Sequence, residues 1–197
     1  GLNASGRSPA AWEASRFSGQ DQIPFRGWES VTVPGAVSAW VELSSRFGEL
    51  PFETLFEPAI GYASSGFPVS PIIATLWERA GEQLGDQPGF AETFMPKGNT
   101  PKAGEYFQSP GHARTLQLIA ETNGRAFYEG EIAEKITAYA KAHGAALTVE
   151  DMASHKADWC GTILRRFDDV ALHEIPPNGQ GIAALMALGI LSQTNVR

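Results

Sequence analysis

The apolar positions of this 197-residue chain recur mostly at helical spacing. In TVPGAVSAWVELSSRFG, residues 32–48, Val37, Trp40 and Val41 share one face behind Pro34-Gly35, and Gly48 stops the run. In PFETLFEPAIGYASSG, residues 51–66, a second stripe runs through Phe52, Leu55, Phe56, Ala59, Ile60 and Ala63. Pro58 lies inside it, which predicts a kink or two short helices. SPIIATLWERAGEQLG, residues 70–85, opens with Ser70 as N-cap and Pro71 in the first turn, with Ile72, Ile73, Leu76 and Ala80 expected to face inward. Residues 85–108 carry four Gly and three Pro and read as a long loop. SPGHARTLQLIAETNG (109–124) predicts another helix. EGEIAEKITAYAKAHG (129–144) predicts one with Ile132, Ile136, Tyr139 and Ala140 inward and Gly144 at its stop.

Thr148 followed by Asp151 reads as a capping box for a short helix. GTILRRF and VALHEI alternate as strands do and meet at Asp168-Asp169, which predicts a hairpin. A last helix starts near Gly181. Six or seven helices and two to four short strands make the fold class mainly α with a few short strands. Strand material lies at the start and near the end, as though both ends feed a sheet that mostly lies outside the chain. The organisation is a loop and strand end over 1–30, a helical portion over 33–155, and a hairpin, corner and helix over 160–197. No repeat of fixed period interrupts this order.

Composition narrows the classes. Hydrophobic residues make up 43% and charged residues 19%, as in a single globular unit. The net charge of −7 argues against nucleic acid or an acidic membrane as the main partner. No stretch is apolar for the length a membrane span needs. Cys160 is the single cysteine, so no intrachain disulfide or multi-cysteine metal site is available, and it reads as a small buried hydrophobe. None of His112, His143, His155 and His173 is spaced from another His or a Cys as metal ligands are. They read as surface or capping histidines, His143 against a helix C-terminus. No metal or cofactor is expected.

One corner invites a chemical reading. HEIPPNGQGIAALMAL, residues 173–188, runs from strand through two prolines and a Gly-rich loop into a helix. Its backbone N–H groups could hold an anion. The P-loop ending Gly-Lys-Ser/Thr is absent, and so is the third Gly of a dinucleotide fingerprint. A tight turn with a helix start therefore stands beside the anion cradle. No Gly-x-Ser-x-Gly elbow exists. Glu129 with Glu131, and Glu150 with Asp151, read as helix-start electrostatics.

Four segments in order resemble the γ-glutamyltransferase large subunit. They are VPGAVSAWVELSSRFGELPFETLFEPAIGYASSGFPVS (33–70), AFYEGEIAEKI (126–136), LTVEDMASH (147–155) and IPPNGQGIAALMALGIL (175–191). The third is similar to Leu/Ile-Thr-x-Glu-Asp-Leu-Ala-x-Tyr. The fourth occupies the place of Pro-Pro-Pro-Ser-Ser-Gly-Gly before a helix. The resemblance implies the partial, helical large-subunit portion of an αββα N-terminal-nucleophile hydrolase. In that family the precursor cuts itself, and a Thr at the new N-terminus of the small subunit attacks an amide with its own amine as base. It also implies the small subunit of the same precursor as partner in a heterodimer, and a γ-glutamyl compound or another small-molecule amide as substrate, its acyl group passing to water or to an amine. The Thr lies outside this chain.

The start departs from the main family pattern. There an Arg-Glu pair precedes Ala-Pro, and the Arg holds the substrate α-carboxylate. Here the segment is GLNASGRSPAAW. Aligned through Pro9, the Arg place is Ser5, the Glu place is Gly6, and Arg7 stands two residues on. NASGR with PPNGQG is more like the γ-glutamyltransferase-like branch that includes oxamate amidohydrolase. Arg7 and Ser5 are the expected substrate-binding residues. Pro177, Asn178, Gly179, Gln180 and Gly181 are the expected structural corner, with the two glycines allowing the turn. The fragment alone is expected to be inactive. The competing readings are a stand-alone helical small-anion-binding module and a structural relative without catalysis. Both ends look cut from something longer, and exposed apolar side chains on Ile182, Leu185 and Met186 are expected if so. The compartment is left open among cytoplasmic, periplasmic and secreted.

Overall fold

A computed structural model describes residues 1–194. In chain order the elements are β1 (Leu2–Asn3), α1 (Ala36–Phe47), α2 (Glu57–Ser65), β2 (Phe67–Pro68), α3 (Pro71–Leu84), α4 (Phe90–Phe94), β3 (Tyr106–Phe107), α5 (Pro110–Glu121), α6 (Arg125–Glu129), α7 (Glu131–Ala142), α8 (Val149–Ala153), β4 (Asp158–Trp159), β5 (Ile163–Phe167), β6 (Val170–Glu174) and α9 (Gly181–Leu191). Short 3-10 turns lie between some of them. The chain divides into two units: Gly1–Gly48 with Gly124 onward, and Glu49–Asn123.

The first unit is built on long-range closure. Its core gathers Val33, Ala133, Ala140, Leu147 and Met152, with Trp28, Phe127, Tyr128 and Ile136 packed against it. In α7 the buried face is Ile132, Ala133, Thr137 and Ala140. Tyr139, expected inward, is exposed and instead rests against His143 and Trp28. Thr137 is tolerated inside because its Oγ1 donates to the Ala133 carbonyl at 2.9 Å. α8 opens with the expected capping box of Thr148 and Asp151. β1 pairs antiparallel with β4, Leu2 opposite Trp159 and Asn3 opposite Asp158, so chain start and residues 158–159 close on each other.

β5 and β6 form the expected hairpin, Phe167 opposite Val170, with Asp168 left-handed at φ 51°. A short polar residue tolerates that conformation by bonding locally. α9 follows and packs on the hairpin. Leu185, expected to be exposed, is buried at 8% exposure, while Ile182 and Met186 are open to solvent. Of the face shared by Val37, Trp40 and Val41 in α1, Val37 is buried and Trp40 is exposed.

The second unit corrects the sequence reading most. Two short helices do form, a 3-10 turn over Glu53–Phe56 and α2, with Pro58 in the first turn of α2. α3 starts at Ser70, whose side chain accepts from the Ile73 N–H, with Pro71 behind it. Its inner face, however, is not the expected stripe. Ile72, Ile73 and Leu76 are exposed at 75%, 45% and 52%. Ala74, Trp77, Ala80 and Leu84 turn inward, at least half-buried. Trp77 decides the rotation: its ring meets Phe107 at 4.6 Å and Phe94 at 6.1 Å. Two isoleucines look like a core stripe by spacing, yet one tryptophan with two aromatic partners sets the helix face. Residues 85–108 are not one loop either; α4, a 3-10 turn and β3 lie within them, and β3 pairs with β2 through Phe67 opposite Phe107.

Candidate functional site

A polar cleft of about 680 Å³ lies in the first unit. Asn3, Ser5, Arg7, Asp151, His155, Lys156, Asp158 and Asn178 are among the residues that line it. With Val33, residues from four distant parts of the sequence thus converge. Three of them, Ser5, Arg7 and Asn178, are candidates from the sequence. Of the corner, Asn178 reaches the cleft; Pro177, Gly179, Gln180 and Gly181 do not line it.

The segment carrying Ser5 and Arg7 is held by backbone fit. Val33 N–H donates to the Arg7 carbonyl at 3.0 Å. A Cβ on Gly6 would run into the Val33 carbonyl, and a Cβ on Gly35 would run into the carbonyl of Ala4. Two glycines therefore let the strands of backbone 4–7 and 33–35 lie in contact. At position 6 the backbone leaves no room for a side chain. Further along, Ala10 N–H donates to Asp151 Oδ1 at 2.9 Å, while Asp151 Oδ2 accepts from the Thr148 N–H. The buried Asp151 carboxylate ties the incoming loop to the α8 cap, a helix-start role that extends the local one expected.

The corner is tied to the same rim. Asn3 Nδ2 donates to Asn178 Oδ1 at 2.9 Å, and Asn3 Oδ1 accepts from the Ser5 N–H at 3.0 Å. Asn3 bridges the corner to the substrate-binding candidate. The glycines act differently from expectation. Neither Gly179 nor Gly181 is among the residues with left-handed φ. Gly181 is needed for space, since a Cβ there would meet the Glu174 side chain, whereas nothing lies within 4 Å of Gly179.

The histidines divide between the expected role and another. His143 does cap, with Nδ1 2.8 Å from the Tyr139 carbonyl. His155 instead sits half-buried, stacked on Tyr128 with ring centroids 5.3 Å apart. Its Nε2 is 2.9 Å from Ser38 Oγ. Burial lowers its pKa from the ordinary histidine value, and the nearby Asp158 charge opposes this in part. The Tyr128 hydroxyl donates to the Pro34 carbonyl at 2.9 Å and accepts from the Ser38 N–H at 3.0 Å. Burial raises its pKa despite the hydrogen bonds with Ser38. The sequence offered no short-range signal for this cluster, because its members lie 90 and 117 residues from Ser38.

Arg7 is exposed, and among the described residues its guanidinium, like the Lys156 ammonium, has no ion-pair partner. Arg7 and Lys156 share the cleft lining with the carboxylates of Asp151 and Asp158, and neither cation forms an ion pair with them, so both remain able to meet an anionic ligand group. Among the described residues no group of three or more His, Cys, Asp or Glu could hold a metal ion. Cys160 is only half-buried.

The family profile described as Gamma-glutamyltranspeptidase matches residues 1–197. The chain belongs to the gamma-glutamyltranspeptidase family. It is 35% identical over 190 residues to the glutathione hydrolase-like YwrD proenzyme of Bacillus subtilis, covering 96% of this chain and 36% of that protein. It is 34% identical over 197 residues to the oxamate amidohydrolase proenzyme of Klebsiella pneumoniae, covering 96% and 37%. Among solved structures, the cephalosporin acylase of Bacillus halodurans superposes with a TM-score of 0.93 at 43% identity, over 99% of this chain and 38% of that one. The Helicobacter pylori gamma-glutamyltranspeptidase has a TM-score of 0.91 at 23% identity, which bears on the fold. The chain therefore spans a little over a third of the length of these two curated relatives. Its mainly α architecture is a partial large-subunit portion of that N-terminal-nucleophile hydrolase fold.

Proposed function

We propose that this chain is the large-subunit part of an amidohydrolase or acyltransferase, and that its polar cleft receives the carboxylate end of a small amide substrate at Arg7 and Ser5. The observation that carries the reading is Arg7: a guanidinium without an ion-pair partner among the described residues, on a cleft rim shared with Lys156 and Asn178. A planar guanidinium binds a carboxylate in two parallel hydrogen bonds. Relatives named as oxamate amidohydrolase, glutathione hydrolase-like protein and cephalosporin acylase support amide cleavage.

In this reading a Thr on the small subunit of the same precursor attacks the amide carbonyl. The amine departs and water releases the acyl group. Preorganised N–H donors stabilise the oxyanion. The exposed Ile182, Met186 and Ile190 of α9 are the apolar surface that a covering partner would bury. Because Arg7 stands two residues beyond the place of the family's Arg, the substrate in this reading is a compact carboxyl-amide of the oxamate type in preference to a γ-glutamyl group.

The test is hydrolysis by the full-length, self-processed protein, assayed on oxamate and on γ-glutamyl-p-nitroanilide. A kcat/KM higher for oxamate supports the reading. Preference for the γ-glutamyl substrate contradicts the substrate class, and absence of both activities contradicts the amidohydrolase assignment. Residues 1–197 alone are expected to show neither activity.

A further inference from the structure

The Pro34–Gly35 turn joins two remote parts of the first unit, Tyr128 and His155, to the segment that bears Arg7. Gly35 is the N-cap of α1 and brings no capping side chain. The caps come from elsewhere. The Tyr128 hydroxyl takes the Ser38 N–H and gives its own proton to the Pro34 carbonyl. Ser38 Oγ lies 2.7 Å from the Gly35 carbonyl and 2.9 Å from His155 Nε2.

A hydroxyl has one proton. The carbonyl can only accept, so the Ser38 proton goes to Gly35. His155 must then donate through Nε2–H, which fixes its neutral tautomer with the proton on Nε2. Stacking on Tyr128 holds the ring in that orientation. From Gly35 the chain of contact is short. Its Cα lies where a Cβ would strike the Ala4 carbonyl, and Gly6 lies equally close to the Val33 carbonyl. The Val33 N–H then holds the Arg7 carbonyl.

We propose that His155 is a positioning residue of the cleft: through Ser38 and the Pro34–Gly35 turn it sets the place of the Ala4–Arg7 segment and hence of the Arg7 guanidinium. The role of Arg7 as carboxylate receptor rests on the function proposed above; the clamp on the segment does not.

The experiment uses the full-length protein with His155→Phe, His155→Gln and Ser38→Ala. Phe keeps the stacked ring and loses the N–H; Gln returns an amide N–H near the Nε2 position. The first readout is amide hydrogen exchange at Val33, whose N–H reports the bond to Arg7. It is expected to speed up about tenfold or more in His155→Phe and Ser38→Ala and to return to within about threefold in His155→Gln, with Thr137 of α7 unchanged as the folding control. The second readout is KM for oxamate. His155→Phe is expected to raise it about tenfold with kcat within about twofold, and to add nothing in an Arg7→Ala background.

Unchanged Val33 exchange in both His155→Phe and Ser38→Ala overturns the proposal. So does a His155→Phe effect that adds fully to Arg7→Ala. If Arg7→Ala itself leaves KM unchanged, the carboxylate reading fails while the exchange result still decides the clamp.

Discussion

The two units each carry a depression of similar size, and they are built by opposite means. In the second unit a pocket of about 510 Å³ is walled by Phe67, Phe94, Phe107 and Tyr62, with Ser109 and His112 as its polar members. Rings pack on rings there, and Ser109 Oγ bonds His112 Nδ1 at 2.5 Å. In the first unit the cleft has few rings. Its walls are polar and charged side chains beside backbone segments brought close at Gly6 and Gly35. The apolar pocket depends on the bulk of its side chains, the polar cleft on their absence at those two positions.

That contrast predicts opposite sensitivities. The largest effect is expected for Phe107→Ala in the second unit. Phe107 is 6% exposed and meets Phe67 and Trp77, so truncation costs about 3–5 kcal/mol in denaturant unfolding. In the first unit the damaging change is an addition. Gly6→Ala places a methyl against the Val33 carbonyl and is expected to cost about 1–3 kcal/mol, with loss of substrate affinity greater than loss of fold. A Gly6→Ala protein as stable and active as the parent would break the contrast. Smaller again is Thr148→Ala, which removes one half of the α8 capping box and is expected to cost about 1 kcal/mol by thermal or chemical denaturation.

The smallest effect is a pH dependence confined to the first unit. Burial holds the His155 pKa below the ordinary value of 6.5, so the folded state binds fewer protons than the unfolded state just below that pH. Stability is then full above about 6.5 and is lost as pH falls through the folded pKa. In His155→Gln this component should vanish from unfolding curves measured between pH 7 and 5. If the pH slope persists unchanged in that variant, another group is responsible.

Local chemistry was legible in the sequence where a few neighbouring residues decide the outcome. The Ser70-Pro71 start, the Thr148–Asp151 box, the two short helices around Pro58 and the Asp168-Asp169 hairpin all belong to this kind. What failed depended on tertiary partners. The face of α3 was set by the Trp77 contacts with Phe94 and Phe107, from α4 and β3 within a stretch that reads as loop. Tyr139 was expected inward because its spacing fits the stripe, yet it found His143 one turn on. At the site, Arg7, Ser5 and Asn178 were noticed through resemblance, and the structure places them on one cleft. The pairing of His155 with Ser38 is not legible in the sequence, because a hydrogen bond spanning 117 residues leaves no pattern in a single chain.

The central claim is that the Arg7 guanidinium receives the substrate carboxylate. KM and kcat of the full-length, self-processed enzyme acting on oxamate, with Arg7→Ala beside the parent, test it most directly. A charge-assisted pair is worth roughly 1.5–3 kcal/mol, so KM is expected to rise about 10- to 100-fold. Guanidinium ion in the assay should restore part of the loss. A KM unchanged within about twofold would contradict the account.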